Sequence, residues 1–276
     1  MRRPRRRRGG IPLRAILPNL VTALGLCSGL TAIRAALLGE WEMSVLLVLV
    51  AAVLDGIDGG IARLVRGETR FGAELDSLAD AISFGVAPAL ILYSWSLNEL
   101  GRFGWLVALL LALFCALRLA RFNAGIDRSD PPHRAHGYLT GVPAPAGALL
   151  ALTPLYLSFW TGLPELRTAP VIAAWTAGVA VLMVSSLPTF RPQFRLRQRL
   201  RFEAVVALVA LAAALVAVPW TTLTLLALGY LATIPFSVRS YQLLRKRLAG
   251  VPVEAAPPQP PSAEQAEQPA ARDTLL

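Results

Sequence analysis

Lysine is almost missing from this chain. Lys246 is the single one among 276 residues, and all other side-chain positive charge at neutral pH is arginine. Charged residues of every kind make up only 16%, against roughly 25% in ordinary soluble domains. That deficit excludes a typical water-soluble globular domain. Cysteine and histidine are equally scarce, with two of each. Cys27 and Cys115 fall inside apolar stretches without metal-ligand spacing, which argues against a disulfide framework or a zinc site, and both read as buried apolar residues. His133 and His136 fall in a basic loop and read as solvated. The short alternating segments of a β-barrel are also lacking.

What the chain has in abundance is hydrophobic residues, 55% of the total, with a mean hydropathy of +0.55. They recur in long windows near 16–38, 43–65, 75–97, 103–124, 143–161, 170–187, 203–219 and 221–245. This predicts an all-α polytopic membrane protein, a bundle of about eight transmembrane helices. The last two windows are separated only by a tight turn near Pro219.

The net charge of +10 and pI near 10.9 would suggest a nucleic-acid partner in a soluble protein. Here the arginines sit at the ends of apolar windows, which points to lipid headgroups and topology instead, with no nucleic acid. Arginine is concentrated in the N-terminus, the 63–70 connection, the 118–134 segment, the 191–201 segment and the 245–247 cluster. The alternate loops hold only Arg102 and Arg167. Positive charge on every second loop places both termini in the cytoplasm of a cell whose cytoplasmic membrane holds the protein. The chain thus divides into a basic N-terminal segment over 1–15, a transmembrane domain over 16–248, and a tail over 249–276 rich in Pro, Ala, Glu and Gln that reads as disordered. The N-terminal arginines ahead of an apolar window resemble a signal peptide, but the window is long, and it reads as a retained first helix.

Against this apolar background stands "AAVLDGIDGGIARLVRGETRFGAELDSLADAISFGVAPA", residues 51–89. It carries Asp55, Asp58, Asp76 and Asp80 in the pattern D-x2-D-G-x2-A-R-x8-G-x3-D-x3-D, together with Gly59, Ala62, Arg63 and Gly72. Residues three or four apart share a helix face. Each pair of aspartates therefore projects together, and the short connection makes the two helices antiparallel neighbours. Four carboxylates converging at one depth repel one another, and divalent cations would relieve this. Ligands that are all oxygen favour Mg2+ or Mn2+ over zinc. Gly59 leaves room for a phosphate to approach the backbone, and Arg63 can grip phosphate oxygens. The competing readings are ion pairing with Arg63, Arg66 and Arg70 at a helix end, and an ion path in a cation transporter. A transporter site belongs nearer mid-membrane on broken helices.

The eight specified positions resemble the signature of the CDP-alcohol phosphotransferases, integral membrane enzymes that move a substituted phosphoryl group from a CDP-linked donor to an alcohol and release CMP. The stretches "LPNLVTALGLCSGL" (17–30), "DSLADAISFGVAPA" (76–89), "LRLARFNAG" (117–125), "GYLTGVPAPAGA" (137–148) and "MVSSLPTF" (183–190) resemble the bacterial CDP-diacylglycerol–serine branch of that family. The resemblance implies a six-helix family core plus two, with a cytoplasm-facing site. It implies that Asp55, Asp58 and Asp76 ligate two Mg2+ or Mn2+ ions, and that Asp80 lies beside the second metal as general base. Gly59, Arg63 and Thr69 would contact the CDP portion of CDP-diacylglycerol, with Asn19 and Thr22 lining the nucleotide pocket from the first helix. The acceptor would be L-serine, or in a sister enzyme glycerol 3-phosphate or inositol phosphate. Arg118, Arg121 and Asn123 at a helix end, and Ser83 one turn beyond Asp80, are candidates for the acceptor or its phosphate. Asn19 and Thr22 also read as helix caps, and the two arginines as topological anchors. The family habit further implies a homodimer.

Overall fold

The computed structural model describes residues 13–65, 69–125, 138–185, 188–190 and 200–249. The basic N-terminus, the loop holding His133 and His136, and the tail beyond 249 lie outside them. The chain separates into two compact units, residues 1–239 and 240–276. The first unit carries the bundle and the motif aspartates; of the second, only the end of one long helix is described.

All eight apolar windows are helical. Helix α1 spans Leu13–Leu37 and α2 spans Trp41–Val65. Helix α3 (Arg70–Asp80) runs without a break through a π-helical turn (Ala81–Val86) into α4 (Ala87–Trp95). Helix α5 is Arg102–Asn123. The 143–161 window is broken at Leu152 into α6 (Ala144–Ala151) and α7 (Thr153–Thr161). Then come α8 (Ala169–Val184), α9 (Leu200–Ala217) and α10 (Pro219–Ala249). Among the described residues, Ile16–Leu37, Trp41–Ile61, Arg70–Trp95, Arg102–Asn123 and Pro219–Ser237 are long and apolar enough to cross a membrane. Ala169–Val184 and Val205–Ala217 are shorter apolar helices. On α9, Val205, Leu208, Val209 and Val216 are all exposed, which suits contact with lipid and not with water.

The α1–α2 hairpin turns at Gly39, whose φ of 77° is the left-handed conformation that favours glycine. Glu40 N donates to Ala35 O and Gly39 N to Ala36 O, the hydrogen bonds of a Schellman cap. The two helices are then stitched antiparallel. Ser28 Oγ donates to Leu47 O and Ser44 Oγ to Ala32 O, each over 2.8 Å. With register fixed in this way, Thr22 of α1 lies beside Asp58 of α2.

The buried centre draws Phe84, Ile91 and Leu92 from the π turn and α4, Leu111 from α5, Tyr156 from α7 and Met183 from α8. At the break in the fifth window, side chains serve the loosened carbonyls. Tyr156 Oη donates to Leu149 O over 2.7 Å, and Trp175 Nε1 donates to Leu150 O over 2.8 Å. Neighbouring groups that re-satisfy backbone in this way let a broken helix persist in an apolar setting.

A short antiparallel ladder pairs β1 (Tyr138–Thr140) with β2 (Pro188–Phe190), Leu139 opposite Thr189. Beside it Val142 N donates to Leu182 O. Gly141, at φ 74°, sits where a Cβ would come within 2.7 Å of Met183 O. The "GVPAPAGA" stretch is thus fastened onto the end of α8, and in the described structure it serves packing. Both cysteines are free; Cys115 is buried, whereas Cys27 lies on an exposed face of α1 instead of inside the bundle.

Candidate active site

The four motif aspartates come from two adjoining helices, Asp55 and Asp58 near the end of α2, Asp76 and Asp80 in the second half of α3. Carboxylate oxygens of Asp55, Asp76 and Asp80 lie within 4.8 Å of one another. Asp58 is the most buried of the four, 5% exposed, and faces α1. There the hydroxyl of Thr22, itself 6% exposed, donates to Asp58 Oδ2 over 2.6 Å. Thr22 Oγ1 also lies 3.1 Å from Pro18 O. A hydroxyl has one proton, and the shorter contact with a charged acceptor is the stronger.

A narrow cleft opens among these residues. Gly25, Ala51 and Ala79 make room beside the carboxylates, and Phe84 supplies an apolar wall. None of these four stands out from the sequence as a site residue. The signal was in the spacing: Gly25 is three residues after Thr22 and Ala51 four before Asp55, positions that share a helix face.

The other expected residues separate into groups. Asn19 sits against the first turn of α3, where a Cβ on Gly72 would come within 2.7 Å of Asn19 Oδ1. Gly72 must therefore lack a side chain for α1 and α3 to meet. Thr69 caps α3, its Oγ1 accepting from Gly72 N over 3.0 Å. Gly59 is exposed, with nothing within 4 Å of where its Cβ would stand. Arg63 is in the last turn of α2, and its side chain lies outside the described residues. Ser83 lines the cleft but is 2% exposed, with its Oγ 3.4 Å from Gly25 O.

The residues at the end of α5 divide by partner. Arg118 acts electrostatically on both Asp55 and Asp80, and its Nε is buried without a hydrogen-bond partner. Arg121 NH1 donates to Val184 O over 2.9 Å, tying α5 to α8. Asn123 Nδ2 donates to Ser77 Oγ over 2.7 Å, tying α5 to α3. Of the three, Arg118 is the one directed at the carboxylates.

Asp55, Asp76 and Asp80 form a hard donor set that is oxygen throughout. It fits a divalent cation such as Mg2+ or Mn2+, since one guanidinium does not balance four carboxylates. A polytopic helical bundle with an acidic cation site in a cleft, flanked by a half-buried arginine, suits transfer of a phosphoryl group at a membrane. The chain belongs to the CDP-alcohol phosphatidyltransferase family, whose model matches residues 15–185. A second model, described as CDP-alcohol phosphatidyltransferase 2, matches residues 199–235.

The chain is 40% identical over 243 residues to the CDP-diacylglycerol–serine O-phosphatidyltransferase of Mycobacterium tuberculosis, covering 88% of this chain and 84% of that protein. It is 38% identical over 178 residues to the Helicobacter pylori protein of the same name, covering 64% and 73%. It is 34% identical over 176 residues to the archaetidylserine synthase of Methanothermobacter thermautotrophicus, covering 62% and 68%.

Proposed function

We propose that this protein transfers the phosphatidyl group of CDP-diacylglycerol to the hydroxyl of L-serine, giving phosphatidylserine and CMP. The observation that carries the reading is the convergence of the Asp55, Asp76 and Asp80 carboxylates, within 4.8 Å, in a cleft walled by small residues. Relatives matching most of the chain support the acceptor. The names of these relatives differ in the lipid and share serine.

Asp55, Asp58 and Asp76, with Asp80 alongside, would hold two Mg2+ or Mn2+ ions. Bound there, such ions supply Lewis-acid stabilisation of the donor's diphosphate and of departing CMP. The chain's own groups do the rest. The Thr22 hydroxyl fixes the rotamer of Asp58. Asp80 accepts the serine hydroxyl proton while that oxygen attacks the phosphatidyl phosphorus, because a carboxylate is too weak to deprotonate a free alcohol beforehand. The new P–O bond to serine forms as the P–O bond to CMP breaks, roughly in line. Arg118 holds the serine carboxylate or the donor phosphate as a fork, while Arg121 and Asn123 brace the end of α5 against α8 and α3 and Ser83 lines the cleft. Gly59, Arg63 and Thr69 face the CDP portion, with Asn19 at the nucleotide.

The protein works in the cytoplasmic membrane with both termini and the cleft on the cytoplasmic side, a reading supported by the alternation of arginine among the loops. It acts as a homodimer, by analogy with its family. Release of CMP by the purified protein, dependent on both CDP-diacylglycerol and a divalent cation, is the expected result. Its absence under every acceptor and cation condition would return the carboxylates to a transport role.

A further inference from the structure

We infer that Gly29 is a positioning residue for Asp80, acting through a π turn that it holds by gripping Ser83. The inference rests on the reading of Asp80 as a site carboxylate. Immediately after Asp80 the helix widens: Ala87 N donates to Ile82 O, five residues back, so Ala81–Val86 forms a π-helical turn. Such turns are rare and recur at functional sites. A π turn inserts one residue into the helix, which rotates everything before it by about 100° relative to everything after it. Asp76 and Asp80 precede it and face Asp55, whereas Ile91 and Leu92 lie beyond it and face the core. With the turn returned to ordinary α geometry, one of these two sets would be misdirected.

The turn is held from two sides by atoms that leave no slack. On the α1 side, a Cβ at Gly29 would lie 2.5 Å from Ser83 Oγ and 2.9 Å from both Ser83 Cα and Cβ. Ser83 is 2% exposed, with its Oγ 3.4 Å from Gly25 O. On the α5 side, a Cβ at Gly85 would stand 3.0 Å from Cys115 Cβ. Ser83 and Gly85 therefore present almost bare backbone to two neighbouring helices. Backbone is what must shift if Gly29 gains a methyl group, and the nearest shift available is in the turn that sets Asp80. A misplacement near 1 Å can cost roughly 100-fold in rate.

The test measures turnover, Mn2+ affinity without substrate by the resonance of free Mn2+, and unfolding temperature, for the full-length protein in detergent. Gly29→Ala is expected to lower kcat at least tenfold and to weaken Mn2+ binding at least threefold. Gly147→Ala is the overpacking control, because its Cβ would meet Met183 Sδ at 2.6 Å away from the carboxylates. It should lower the unfolding temperature yet keep wild-type Mn2+ affinity. Ser83→Gly removes the gripped side chain without adding an atom and should weaken Mn2+ binding on its own. Adding Gly29→Ala to it should still weaken Mn2+ binding, because the 2.9 Å approach to the Cα of residue 83 remains. The combined loss should be less than the sum of the two single losses, the non-additivity expected of residues in contact. Wild-type kcat and Mn2+ affinity in Gly29→Ala would overturn the inference. So would equal losses of Mn2+ affinity in Gly29→Ala and Gly147→Ala, or, where Gly29→Ala does not fold, wild-type Mn2+ affinity in Ser83→Gly. Failure of the functional reading looks different: the unaltered protein would bind Mn2+ and release no CMP.

Discussion

Thr22 and Asp58, 36 residues apart in sequence, meet at 2.6 Å with the hydroxyl as donor. Both side chains are almost wholly buried. The first helix thus reaches into the acidic motif of the second. A hydrogen bond to a charged group contributes about 1.5–3 kcal/mol. Thr22→Val, which keeps the shape, should therefore raise the Mg2+ or Mn2+ concentration for half-maximal activity by roughly 10- to 100-fold. Thr22→Ser should stay close to the unaltered protein. A metal titration of CMP release checks both.

Asp80→Asn keeps the size of the side chain and removes the proton acceptor. Turnover should fall by roughly 100- to 10,000-fold, the span usual for loss of general acid–base catalysis. CDP-diacylglycerol binding should change little. Paired measurements of CMP release and donor binding are needed, and near-normal turnover would remove Asp80 from the base role.

Arg118 and Arg121 are one helical turn apart and have different partners. Arg118→Ala should raise the KM for serine about tenfold or more, equivalent to one charged hydrogen bond, with Arg118→Lys recovering only part because a single ammonium lacks the planar fork. Arg121→Ala should instead lower the unfolding temperature, since its bond to Val184 O joins α5 to α8. Serine kinetics and thermal unfolding of the two variants separate these effects. An unchanged serine KM in Arg118→Ala would place that guanidinium elsewhere in the reaction.

Chelation should abolish CMP release, and Mg2+ or Mn2+ should restore it. Because a cation that binds only the folded state stabilises it by mass action, Mn2+ at 100 times its dissociation constant adds about 2.7 kcal/mol. The unfolding temperature should rise accordingly, and Asp55→Asn should blunt that rise. A melting curve indifferent to Mn2+ would remove the carboxylate cluster as a cation site.

The helical windows were legible because hydrophobic runs bounded by arginines leave few alternatives. The motif was legible because Asp55, Asp58, Asp76 and Asp80 fall at helical spacing on either side of one connection. The orientation of Asp58 toward Thr22 was not, since it depends on a register between α1 and α2 set by Ser28, Ser44 and Gly39. Nor was the π turn at Ala81–Val86: a one-residue insertion leaves no mark in an apolar run, and its cause lies on other helices, in Gly29 and Cys115. The break at Leu152 was hidden for the same reason, because Tyr156 and Trp175 supply the missing donors from outside the local backbone. Arg118 and Arg121 looked equivalent in sequence. Only packing against α8 assigns one of them to a carbonyl.

The most direct measurement is CMP release from CDP-diacylglycerol by the purified protein with Mg2+ or Mn2+, offering serine, glycerol 3-phosphate, inositol or inositol phosphate in turn. The account predicts release with serine alone, lost in Asp80→Asn. Release with a different acceptor and none with serine would contradict it.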